Sequence, residues 1–268
     1  MPTKTDIETI KDIRRSILRM VHNAKVSHIG AAYSMIEILY VLYFKVMNID
    51  PKYPQNPLRD KFILSKGHGS AGLYAMLAHR GYFPVEDLMT YCINDGKLPG
   101  HLDKDAAPGV EVSAGSLGHG LPVALGMALA NKRSANPGQV YCIIGDGECN
   151  EGSVWESAML APSLGLDNFT VIVDFNKIQS FGNTNDIIDQ TNMAERWRAF
   201  GWDVHEINGH DLEAIEQALR AVHQSTKPKA IVAHTVKGQG VSFMEDKLQW
   251  HYSSPSDEQL HLALKELE

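Results

Sequence analysis

Two apolar runs, each ending on a polar residue, constrain this chain more than any other feature. Tyr141-Cys142-Ile143-Ile144 runs into Gly145-Asp146-Gly147, and Thr170-Val171-Ile172-Val173 runs into Asp174-Phe175-Asn176-Lys177. Short, β-branched-rich runs of this kind predict buried strands. Strands buried on both faces belong to parallel sheets covered by helices, and open α/β sheets bind ligands at the carboxyl edge of their strands. Asp146 and Asn176 both stand at that edge.

The rest of the chain fits the same plan. Ile7, Ile10, Ile13, Ile17, Met20 and Val21 recur at helical spacing, and Thr5-Asp6-Ile7-Glu8 has the form of a capping box that starts the helix. A second helix is predicted over 34–47, then a proline-rich loop, then a strand Lys61-Phe62-Ile63-Leu64 that delivers His68 to a turn. Helical pattern returns over 69–80 and 118–132, separated by a glycine- and proline-rich passage from Gly96 to Gly115 of the sort that carries function. Strands over 140–145 and 169–175 bracket a helix at about 152–164, and strands over 202–207 and 229–236 bracket one at about 211–224. Such alternation predicts a doubly wound, mainly parallel sheet with right-handed crossovers and helices on both faces. At 268 residues with no composition break, a single domain over 1–268 is expected, with Trp155 and Trp202 in its core.

Composition narrows the function. A formal charge of −7 argues against non-specific nucleic-acid binding, which needs a basic surface. Cys92, Cys142 and Cys149 are widely spaced and lack a Cys-x-x-Cys pair, so reduced thiols are expected rather than disulfides or zinc. Residues 1–25 carry Asp6, Glu8 and Asp12, and no apolar run is expected to approach a secretory core or a membrane span, which points to the cytoplasm.

A lone Gly-Asp-Gly serves as well for a plain tight turn. Paired with Asn-Lys at a second strand end, it reads as a magnesium diphosphate clamp. Magnesium wants near-octahedral oxygen ligation and takes one or two carboxylates beside phosphate oxygens; Asp146, the Asn176 carbonyl and a backbone carbonyl meet that demand. The glycines let backbone N–H groups approach a diphosphate, Gly147 foremost.

Gly145-Asp146-Gly147-Glu148-Cys149-Asn150-Glu151-Gly152 followed by Asp174-Phe175-Asn176-Lys177-Ile178 resembles the thiamine-diphosphate signature of the transketolase family. Further blocks recur in family order: Ser27-His28-Ile29-Gly30, Leu64-Ser65-Lys66-Gly67-His68-Gly69, Leu98-Pro99-Gly100-His101, Pro108-Gly109-Val110-Glu111, Gly115-Ser116-Leu117-Gly118-His119-Gly120 and Trp250-His251. The resemblance covers essentially the whole chain but only the first of three transketolase regions, the one that holds the diphosphate. It implies the amino-terminal subunit of a split transketolase. The partner would be a separate carboxy-terminal subunit carrying the pyrimidine-binding domain and the glutamate that activates the aminopyrimidine, in a two-plus-two heterotetramer.

The same resemblance implies thiamine diphosphate and Mg2+ as cofactors, with Asp146, Asn176 and the Ile178 carbonyl on the metal. It implies that His68 and His251 bond the diphosphate and line the substrate channel, that His28 and His101 contact donor-sugar oxygens, and that Leu117 and Gly118 approach the cofactor rings. A histidine can donate to phosphate and move protons near neutrality. Tyr252 stands where the family commonly has glycine, which would narrow the mouth of the site. His119 stands where glutamine is usual, and is assigned a structural role. Glu151 and Glu156 fit the helix dipole and equally a subunit interface. Lys237-Gly238-Gln239-Gly240 lacks Walker spacing and reads as a turn or channel lining. His22, His79, His205, His210, His223, His234 and His261 are read as ordinary surface or core residues.

The expected reaction is transfer of a two-carbon ketol unit from a ketose to an aldose. Two alternatives stand beside it: a thiamine-dependent decarboxylation of the deoxyxylulose-phosphate-synthase type, and a non-catalytic cofactor-binding subunit.

Overall fold

A computed structural model describes residues 2–221 and 226–268. Its centre is a five-stranded, wholly parallel sheet of strands β1 (Lys61–Leu64), β2 (Val140–Gly145), β3 (Phe169–Phe175), β6 (Asp203–Asn208) and β7 (Lys229–His234), in the order β1-β2-β3-β7-β6. A two-residue-per-strand hairpin, β4 (Ile178–Gln179) and β5 (Gly182–Asn183), follows β3 directly.

Helices cover both faces, and the alternation along the strands explains why. Tyr141, Ile143, Ile172, Ile231 and Ala233 point to one core, together with α1 (Lys4–Ala24), α2 (Ile29–Tyr33), α3 (Ile36–Val41), α4 (Ser70–Arg80) and α9 (Leu212–Ala221). Val140, Cys142, Ile144, Val171 and Val173 point to the other, together with α5 (Gly120–Arg133), α6 (Gly152–Ser163) and α8 (Met193–Ala199). The chain leaving β1 therefore enters the first layer and the chain leaving β2 and β3 the second. A crevice opens over the carboxyl ends, as parting connections require. Short helices α7 (Thr184–Ile187), α10 (Gln249–Tyr252) and α11 (Asp257–Glu266) complete the order.

Strands β1, β2 and β3 fall where the sequence puts them; β6 is shifted by one residue and β7 ends at His234, leaving Val236 and Lys237 in the following turn. The end of the helix predicted over 211–224 and His223 lie outside the described residues. The first helix is capped two residues earlier than expected. Thr3, not Thr5, is the N-cap, because Asp6 returns a bond to the Thr3 N–H (2.7 Å) and Tyr40 (2.7 Å) holds Asp6 from the core side. The helix predicted over 34–47 is one short helix, α3, running into a π-turn at Leu42–Val46, and α2 lies before the predicted range. Ile29–Val46 is also an 18-residue apolar stretch of mean hydropathy 1.4, contrary to the expectation that no run approaches a membrane span. Since 83% of it is buried inside the fold, core packing accounts for its composition. Trp202 is buried as expected, whereas Trp155 is only partly so. All three cysteines are free thiols.

Candidate active site

The crevice contains a cavity of about 210 Å3 over the ends of β2 and β3. Asp146, immediately after β2, is 2% exposed. Its carboxylate accepts from the Gly147 N–H (2.8 Å), the Lys177 N–H (2.6 Å) and the Thr184 hydroxyl (3.1 Å). Burial, then the nearby negative charge of Asp174, raises its pKa against these donors. Asn176, just past β3, lies on the same wall with Ile178 of the hairpin. Lys177 between them is in the left-handed region (φ 66°), which turns the chain from strand to hairpin.

Asp174 gathers the rest. It is a charged residue in an apolar strand, fully buried, accepting from Lys66 after β1, Ser34 after α2, Thr235 after β7 and the Asn176 amide. Burial alone would raise its pKa, but the Lys66 ammonium outweighs that and holds it below the usual value. Four segments remote in sequence thereby meet at one carboxylate. Glu148 does similar work on the far side: buried, it accepts from Ser65, the Gly118 N–H (2.8 Å) and the Gly145 N–H (3.2 Å).

The four singled-out histidines come together. The His28 ring centroid lies 5.3 Å from that of His68, 6.0 Å from His101 and 4.9 Å from His251. His28 heads α2 in the left-handed region (φ 75°), its N–H bonded to the His251 carbonyl (3.1 Å). Burial first, then neighbouring positive charge, lowers the pKa of His28 to about 4 and of His251 to about 3, and puts His68 well below 6.5. These rings are neutral at physiological pH. His101 is exposed, on a loop pinned where the Ser70 hydroxyl donates to the Gly100 carbonyl (2.7 Å).

Leu117 lines the cavity, but Gly118 sits behind it at φ 78° with its N–H turned to Glu148. His119 is exposed. Glu151 and Glu156 are exposed at the start of α6, and Tyr252, 57% exposed, donates from its hydroxyl to the Ser180 carbonyl at the rim. The sequence reading missed Lys66 and left Lys237 as turn or channel lining. Lys66 and Lys237 are each 1% exposed and both line the cavity; Lys237 Nζ donates to the Ile178 carbonyl (2.8 Å) and to His251 Nδ1 (2.9 Å). Burial, then the charge of Lys66, lowers the Lys237 pKa to about 8. The available signal for Lys66 was its place inside a resembling block.

This donor set suits a diphosphate with a divalent cation. The buried His28 Nδ1 and Gln179 Nε2, both on the cavity wall, have no hydrogen-bond partner among the described residues. A Cβ at Gly145 would meet nothing nearer than the Lys66 side chain at 3.9 Å, so glycine there leaves cavity space open. Among the described residues there is no cluster of three or more His, Cys, Asp or Glu that could hold a metal unaided.

The family model described as transketolase, thiamine diphosphate binding domain, matches residues 5–267. The chain belongs to the transketolase family. An apulose-4-phosphate transketolase subunit of Actinobacillus succinogenes is 46% identical, the match covering 96% of this chain and 94% of that one. A 6-deoxy-6-sulfo-D-fructose transketolase subunit of a Clostridium species is 43% identical over the same shares. The solved transketolase of Campylobacter jejuni is similar to this chain with a TM-score of 0.93 and 33% identity, over 100% of this chain and 43% of that one. Thiamine diphosphate is therefore the cofactor of this transketolase chain, and group transfer its class of reaction.

Proposed function

We propose that this chain is the amino-terminal subunit of a two-subunit transketolase that moves a two-carbon ketol unit from a ketose phosphate or related sugar to an aldose. The observation that carries the reading is the meeting of four neutral or exposed histidines with the Asp146–Asn176 pair in one cavity. Relatives named as subunits, matched over 94% of their length, support a separate partner.

In this reading Asp146, the Asn176 carbonyl and the Ile178 carbonyl hold Mg2+. His68, His251, Lys66 and Lys237 face the diphosphate, which their lysine charges and ring nitrogens suit, while Gly147 lines the cavity with its N–H turned to the Asp146 carboxylate rather than free for a phosphate as the sequence suggests. Leu117 supplies an apolar wall for the rings, with the Gly118 backbone behind it. When bound, thiamine diphosphate supplies the electron sink that permits cleavage beside the ketose carbonyl. His28 and His101 orient the ketose by bonding its oxygens, and a neutral imidazole can hold or pass a hydroxyl proton there. The partner is proposed to bring the pyrimidine-binding domain and its glutamate, in a two-plus-two heterotetramer. Residues 1–268 are taken as one domain, which the single five-stranded sheet supports, and the cytoplasm as the compartment, which the three free thiols support.

The test is a ketose-to-aldose transfer assay on the assembled protein. Two-carbon transfer without carbon dioxide release from pyruvate is expected; decarboxylation of pyruvate instead would overturn the reading.

A further inference from the structure

The turn that carries Lys237 is held after Lys237 by backbone bonds, from the Gly238 N–H to the Gly30 carbonyl (3.1 Å) and from the Asp246 N–H to the Lys237 carbonyl (2.9 Å), and before it by a side chain where the sheet gives out. Strand β7 ends at His234, opposite Asn208, the last residue of β6. Beyond it the Thr235 N–H still reaches the Phe175 carbonyl of β3 (3.3 Å), but the N–H of the half-buried Val236 faces the side on which β6 has ended. The turn after β6 supplies the acceptor. The Gly209 N–H donates to the His234 carbonyl (2.8 Å) and the His210 N–H to Asn208 Oδ1 (3.0 Å), and His210 Nε2 then accepts from the Val236 N–H at 2.8 Å.

A ring nitrogen that accepts from an N–H carries no proton, so the proton is on Nδ1. Nδ1 faces Glu37 Oε2 at 3.1 Å, and Glu37 is paired with Arg14, whose Nη2 lies 2.9 Å from Oε2 and 2.8 Å from Oε1. The three side chains are 15%, 10% and 6% exposed, from His210 to Arg14. Tautomer and ring orientation are thus fixed by a buried ion pair drawn from α1 and α3. The next residue along from Val236 is Lys237, whose Nζ enters the cavity.

We infer that His210 is a positioning residue for cofactor binding: its neutral ring, oriented by Glu37 and Arg14, fixes the peptide from which Lys237 reaches the diphosphate. The inference rests on the proposed placement of Lys237 at the diphosphate. A tie that served only to pack helices on the sheet would affect stability without acting through the lysine.

Thiamine diphosphate affinity at fixed Mg2+, measured by calorimetry on the assembled protein, separates the two, alongside the ketose KM at saturating cofactor. His210→Leu should weaken the cofactor about tenfold, the order expected for leaving one buried polar group unpaired, with the ketose KM unchanged. His210→Gln can accept from Val236 and donate to Glu37 through one amide, and should stay within about threefold of the parent. Lys237→Ala should weaken the cofactor, and His210→Leu added to it should cost nothing more, since the lysine's contribution is already gone. Should His210→Leu not fold, His210→Asn, too short to span both partners, replaces it with the same expected loss. Parent-like affinity in the His210 variant, or losses that multiply in the double variant, would overturn the inference. Parent-like affinity in Lys237→Ala alone would overturn the placement of Lys237 instead, and the inference with it.

Discussion

Asp146 has no understudy: the neighbouring carboxylates, Asp174 and Glu148, are committed to Lys66 and to the Ser65 hydroxyl. Asp146→Ala should therefore abolish Mg2+-dependent thiamine diphosphate binding, a larger loss than the roughly 10–100-fold that removing a metal's outer partner costs. Asn176→Ala, which deletes a neutral ligand, should cost less. Calorimetry of the assembled protein checks both, and unchanged affinity in Asp146→Ala would contradict the metal assignment. His101 and His68 should part company. His101→Ala should lower kcat or raise the ketose KM with cofactor affinity intact, whereas His68→Ala should weaken the cofactor first. The low pKa values add a prediction with a definite sign. A histidine at about 4 when folded and 6.5 when unfolded leaves stability complete above 6.5, and loses it as pH falls toward 4 because the unfolded chain takes up the proton first. His28→Asn removes that loss. The melting temperature of the parent relative to the variant should fall from pH 6.5 to 4; a constant difference would count against a neutral buried ring.

At the scale of elements, β1, β2 and β3 were legible because strands buried on both faces are apolar throughout, and Val140–Gly145 and Phe169–Phe175 are buried at every position. The cap at Thr3 was misplaced because Asp6 at the third helical position does the work expected of Glu8. Helix α2 was not legible, since Ile29–Tyr33 is only five residues long and buried at every position, so it carries no helical stripe. In the site, Asp146, Asn176 and the four histidines stood out by their neighbours. Lys66, Asp174 and His210 did not, because their roles arise only when remote segments meet, and Lys237 stood out only as turn or channel lining. Asp174 is the sharpest case, with Lys66 reaching it from the turn after β1 while β2 lies between. Lys66→Met would leave that carboxylate buried and unpaired, at an expected cost of about 3–5 kcal/mol in urea denaturation. Adding Asp174→Asn should recover part of it; no recovery would mean that lysine packing, not charge pairing, carries the effect.

At the scale of the whole molecule, the cavity presents groups for a diphosphate, a cation and the oxygens of a sugar, while the chain spans 43% of the length of the Campylobacter jejuni transketolase it resembles in fold. The relatives matched nearly end to end are named as subunits. Those names support the proposal of a cleft completed by a second polypeptide, with the cofactor's diphosphate end held here and its pyrimidine end held there. Ketose-to-aldose transfer should therefore be measured with this chain alone, verified free of other polypeptides by mass spectrometry, and again after mixing with a carboxy-terminal transketolase subunit, with thiamine diphosphate and Mg2+ in both. No turnover by the chain alone and two-carbon transfer by the mixture is the predicted result. Transfer by the chain alone, or a mixture that binds the cofactor yet moves no two-carbon unit, would contradict it.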